Sequence, residues 1–155
     1  MRVFLAFMWL MPALAAAQSY SSGKIVSVRD AGVEIVAKGC PRPSNVVEEP
    51  VQTLKPGVTA IKRSFRCPDA EMTVILYEGR TVPYTLTVTG DKTRVTDEIR
   101  TGMLAKDVKR IFGSPDLERG ERLQYKVPQG PGFDIVGFGH RGGRVTSIDW
   151  QFLIR

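Results

Sequence analysis

The sequence predicts an α+β protein: a β-rich N-terminal half followed by one helix packed on a three-stranded antiparallel sheet. Two patterns carry this expectation. Apolar and polar residues alternate with period two in several short runs, as in Val82, Tyr84, Leu86 and Val88 against Pro83, Thr85, Thr87 and Thr89. One segment, GMLAKDVKRIFGSP at 102–115, switches to the helical period, with Leu104, Val108, Ile111 and Phe112 on one stripe.

The chain opens with MRVFLAFMWLMPALAAA, in which Arg2 precedes fifteen uncharged residues, Val3 to Ala17. A basic start, a short apolar run and small residues at Ala15 and Ala17 predict a secretory signal peptide over residues 1–17, cleaved before Gln18. The alternative is a membrane-spanning helix. Fifteen residues are too few for a hydrocarbon core that takes about 20, and Pro12 interrupts them. A lipid anchor needs Cys at the first mature position, where Gln18 stands. The expectation is therefore a periplasmic, unlipidated protein with no transmembrane anchor after cleavage.

The net charge of +6 falls to +5 when Arg2 is removed. A basic exported chain is expected to attract anionic lipid, lipopolysaccharide or an acidic protein. Nucleic acid is not expected, because no basic run is interleaved with stacking aromatics. Cys40 and Cys67 form an even pair, and in an oxidising compartment they predict a disulfide.

Along the chain, KIVSVRDAGVEIVAK (24–38) reads as a β-hairpin around Asp30-Ala31-Gly32. Residues 39–57, with four prolines and two glycines, read as a long loop tied down by Cys40. Residues 58–67, 71–78 and 82–89 read as strands, the first with Lys62, Ser64 and Arg66 on one face. Gly113 and Pro115 end the helix. Its start is unorthodox: Thr101 is a candidate cap, and Leu104 stands where a Ser or Thr is expected. Strands follow at 121–127, 134–140 and 144–152, the last two joined by a turn at Arg141-Gly142-Gly143. The boundaries are thus 1–17 for the signal peptide, 18–95 for the β-rich region and 96–155 for the helix-on-sheet region.

The C-terminal elements resemble the BamE-like (SmpA/OmlA) domain family. Gly102, Met103, Val108, Gly113 and Pro115 match its G-M-x4-V-x4-G-x-P helix, Tyr125 its aromatic strand, and Val136, Phe138, Gly143 and Val145 its final hairpin. The resemblance covers roughly residues 98–152. It implies a small envelope protein that binds other proteins or the outer-membrane surface, as an interaction module accessory to outer-membrane assembly. A related β-lactamase inhibitor repeats a similar helix-and-sheet unit, which implies inhibition of a periplasmic or secreted enzyme as the alternative.

Chemistry is poorly represented. There is no CxxC, GxSxG, HExxH or Gly-rich phosphate loop, so no metal, cofactor or catalytic set is expected and the chain reads as a non-enzyme. His140 is the only histidine; a small hydrolase would have to use it with a nearby carboxylate. Asp134 and Asp149 are expected near each other across the last hairpin, paired with Arg141 or Arg144. For partner binding the chosen residues are His140, Arg141 and Arg144, because turns on a rigid scaffold commonly carry recognition.

Overall fold

The computed structural model describes residues 13–52 and 57–154. It consists of helix α1 (Ala13–Lys38), strands β1 (Ser44–Gln52), β2 (Thr59–Cys67), β3 (Ala70–Tyr77) and β4 (Arg80–Val88), helix α2 (Ala105–Phe112), and strands β5 (Leu117–Arg119), β6 (Arg122–Gln129), β7 (Gly132–Arg141) and β8 (Arg144–Gln151). All eight strands form one antiparallel sheet in the order β1-β2-β3-β4-β8-β7-β6-β5.

This architecture corrects the expected fold class. Strands β6, β7 and β8 lie where predicted, but they are not a separate three-stranded sheet. β8 pairs with β4 through Thr85↔Gln151, Leu86↔Trp150, Thr87↔Asp149 and Val88↔Ile148, so the strands of both halves are continuous. The reason is the closing strand's position: β8 has a second polar edge to satisfy, and β4 offers one.

The predicted hairpin at 24–38 is also corrected, because this segment is the C-terminal part of α1. Ile25, Val28, Gly32 and Val36 are buried while Val26, Ser27, Asp30 and Glu34 are exposed, a spacing of three and four that suits one helical stripe. Gly39 ends the helix at φ 67°, its N–H shared between the carbonyls of Ile35 and Val36. The expected cleavage point after Ala17 falls within the span of α1, and residues 1–12 lie outside the described residues.

Residues 39–57 are not a loop throughout, since β1 occupies much of them. Pro50 is accommodated because β1 is an edge strand, where a missing N–H breaks no ladder on the outer side. Cys40 and Cys67 are disulfide-bonded, with Cα atoms 5.9 Å apart, which ties the segment after α1 to the end of β2. Among the described residues no helix is long and apolar enough to cross a membrane.

Cross-strand partners share a face of the sheet. One row runs Phe65–Met72–Leu86–Trp150–Val136–Tyr125, and the next Cys67–Ala70–Val88–Ile148–Phe138–Leu123. Most of these side chains are buried, and both helices pack on this face. α2 places Phe112 against Tyr125 and Phe138, with ring centroids 5.5 and 5.7 Å away. The Tyr125 hydroxyl donates to the carbonyl of Gly113 at 3.1 Å, and burial pushes its pKa up to about 12. α1 is held by Trp150, whose indole N–H donates to the Val28 carbonyl at 2.9 Å.

Leu104 caps α2 in extended conformation without a side-chain bond. Thr101 is not the cap: it is buried, its hydroxyl donates to Gly90 at 2.5 Å and accepts from the Thr93 N–H at 2.8 Å.

Candidate functional site

Both helices lie on one face, so the other face of the sheet carries neither. Its central rows follow from the register. One runs Arg66–Glu71–Thr87–Asp149–Gly137–Gln124–Leu117, the other Ser64–Thr73–Thr85–Gln151–Ile135–Lys126. Apart from Leu117, Gly137 and Ile135 these are the polar members of the alternating runs, which is why the strands bury one side and leave this one open.

At the centre, Arg122 of β6 reaches across β7 to Asp149 of β8, Nη2 to Oδ2 at 2.7 Å. Gly137 makes this reach feasible. A Cβ there would collide with Asp149 Oδ2 and lie 3.2 Å from Arg122 Nη2. Gly139 does the same for Ser147, whose hydroxyl occupies the place of its missing side chain. Burial pushes the Asp149 carboxyl above its ordinary value, and Arg122 and the Ser147 hydroxyl draw it back only in part. A part-buried carboxylate with a raised pKa is more common at working sites than at inert ones.

Two recesses meet here. A polar one of about 280 Å³ is lined by Thr85, Thr87, Arg122, Gln124 and Asp149, and also by Ile135 and Gln151. An apolar one of about 430 Å³ shares Ile135 and Gln151 and wraps the end of the sheet, adding Tyr84, Gly132, Phe133, Phe152, Leu153 and Ile154. Phe133, Leu153 and Ile154 are exposed, Phe133 at 43%. Lys126 sits 4.7 Å from the centroid of the Phe133 ring. A cluster of apolar groups beside a satisfied polar network is the anatomy of a protein-binding patch.

The residues chosen from sequence fall elsewhere. His140 and Arg141 end β7, and Arg144 begins β8. Their turn holds the start of α2: Gly102 N–H donates to Val145, Val145 N–H to Met103, and Ala105 N–H to Gly143. The Arg144 guanidinium donates to the Gly102 carbonyl at 3.0 Å. His140 Nδ1 is buried without a hydrogen-bond partner among the described residues, and Arg141 is exposed.

Asp134 and Asp149 do not approach each other. Asp134 belongs to the helix-covered face, where it is buried, accepts from Arg29 Nε at 2.7 Å and from the Leu153 N–H at 2.7 Å. The expected partners, Arg141 and Arg144, are replaced by Arg29 and Arg122. Among the described residues no group of three His, Cys, Asp or Glu is placed to hold a metal ion.

Sequence reasoning missed Arg122, Lys126, Phe133, Ile135 and Gly137. One signal was available: two glycines inside the strand pattern of 134–140 mark a place where something crosses close to the backbone.

Comparison with protein-family models, with curated proteins and with solved structures returned no match to this chain.

Proposed function

We propose that this chain is a periplasmic protein-interaction module that binds an envelope partner through the open face of its sheet, and that its role is binding and not catalysis. The observation that carries the reading is the Arg122–Asp149 pair laid across Gly137 beside the exposed groove at Phe133. Rigid strands hold both, so the surface is preorganised and loses little entropy on association. Export is supported by the basic-apolar-small pattern of residues 1–17 and by the Cys40–Cys67 bond, which belongs to an oxidising compartment. A role accessory to outer-membrane assembly draws its support from the BamE-like pattern of residues 98–152.

The test compares proteins retained from detergent-solubilised envelope by the purified exported chain and by two variants. Thr85→Arg puts a bulky charge in the middle of the open face; Glu34→Arg changes the exposed side of α1. A partner lost with Thr85→Arg and kept with Glu34→Arg supports the reading. A partner kept by both, or lost with Glu34→Arg alone, contradicts it. Barrel-assembly components among the lost proteins favour the assembly role, and a single soluble enzyme favours the inhibitor role.

A further inference from the structure

The open face is not uniform. On its β1–β3 side the charges are matched: Lys62 with Glu49 at 3.0 Å, Arg66 with Glu71, and Ser64 hydrogen-bonded to Thr73 at 3.1 Å. On its β5–β8 side the register places Arg119, Arg122 and Lys126 on the same face as one carboxylate among the described strand residues, that of Asp149. That carboxylate is committed to Arg122. Asp116, nearby, accepts the backbone N–H of Lys126 at 2.7 Å. The Lys126 ammonium has no carboxylate partner among the described residues and rests over the Phe133 ring.

We infer that the β5–β8 half of the open face takes an acidic protein segment, which sets an apolar side chain in the groove at Phe133, one carboxylate beside Lys126 and another further along β6 beside Arg122. The inference rests on the reading of this face as an interaction surface and names the chemistry of what it binds.

Three features support it. The groove of about 430 Å³ has the dimensions of a socket for one large side chain and its neighbours. Lys126 stands beside it and Arg122 and Arg119 further along the same face, so a negative partner is steered in and an equally basic one is repelled. Arg122 is prepositioned: a guanidinium has five N–H donors. Among the described residues its side-chain partner is Asp149, and the side chain is half exposed. A lipid surface fits less well. Polybasic lipid-binding clusters use about four to eight cations, whereas here three lie along β5 and β6, one of which, Arg122, lines a recess.

The test is selection of a display library of random linear peptides on the purified exported chain, followed by amide-resonance mapping of the selected peptides. The expected peptides carry Asp or Glu close to Leu, Phe or Trp and shift Lys126, Phe133, Ile135 and Leu153. Lys126→Glu weakens them at least about fivefold, and Phe133→Ala, at an exposed position that leaves the core intact, about tenfold or more. Selected peptides without acidic residues that shift the same resonances overturn the segment chemistry and leave the face standing. Peptides that leave those resonances unmoved overturn both. Failure to select any peptide, with binding to phosphatidylglycerol vesicles instead, assigns the face to a lipid surface and overturns the inference.

Discussion

Gly32 of α1 lies directly against the indole of Trp150 in β8. A Cβ at Gly32 would stand 2.5 Å from Nε1 and 2.7 Å from Cδ1 of that ring. The absence of a side chain lets the helix backbone approach the sheet, and the indole N–H reaches the carbonyl of Val28. Gly32→Ala raises helix propensity by about 1 kcal/mol, yet it forces atoms into an occupied space, which costs about 1–3 kcal/mol. The net effect expected in urea denaturation is destabilisation, with the Trp150 fluorescence of the folded state altered. A stabilised variant would show that α1 does not dock this closely.

The Cys40–Cys67 bond closes a chain loop with a sequence separation of 27. Constraining the unfolded chain in this way contributes roughly 3 kcal/mol. The variant with both cysteines changed to Ser is expected to lose about that much in chemical denaturation and to keep its far-ultraviolet circular dichroism. The same loss follows from a reductant added to the wild-type protein.

Asp149 makes the opposite kind of prediction. Burial raises its pKa in the folded chain above the ordinary 3.8, so the folded state binds the proton more tightly than the unfolded one. The associated stability is present below pH 3.8 and is lost as pH rises through the raised value. Asp149→Asn removes this loss. At pH 7 the variant is expected to lie within about 0.5 kcal/mol of wild type or above it. The difference, variant minus wild type, is larger at pH 7 than at pH 4. Partner binding is expected to fall in the same variant, because Arg122 loses the carboxylate that positions it. A residue whose neutralisation costs binding and not stability is serving the surface.

Much of the strand pattern was legible because it is local. The alternation in 59–67, 80–88, 122–129 and 144–151 assigns Ser64, Thr85, Thr87, Asp149 and Gln151 to the solvent side by period two alone. α2 was legible through its stripe and its Gly113 stop. α1 was not, since Ile25, Val26, Val28, Val33, Ile35 and Val36 are β-branched and Asp30-Ala31-Gly32 imitates a turn. The reason for burying Gly32 lies 118 positions away at Trp150. β1 was hidden by Pro50, which an edge strand tolerates, and by the prolines that flank it.

The site was legible only in pieces. Thr85, Asp149 and Gln151 were on known faces, but their meeting depends on β4 pairing with β8, a contact no local pattern encodes. Phe133 and Lys126 belong to neighbouring strands whose register is set by the turn at Gly130. The turn that sequence did single out, 141–144, is occupied with holding the start of α2.

The most direct test of the open face as the binding surface is site-specific photo-crosslinking in cells that express the protein. A photoreactive residue at Gln151 stands on the open face where the polar and apolar recesses meet, and one at Glu34 stands on the outer side of α1. The account predicts a discrete crosslinked species from position 151 and none from position 34. A crosslink from position 34 with none from 151 would contradict it.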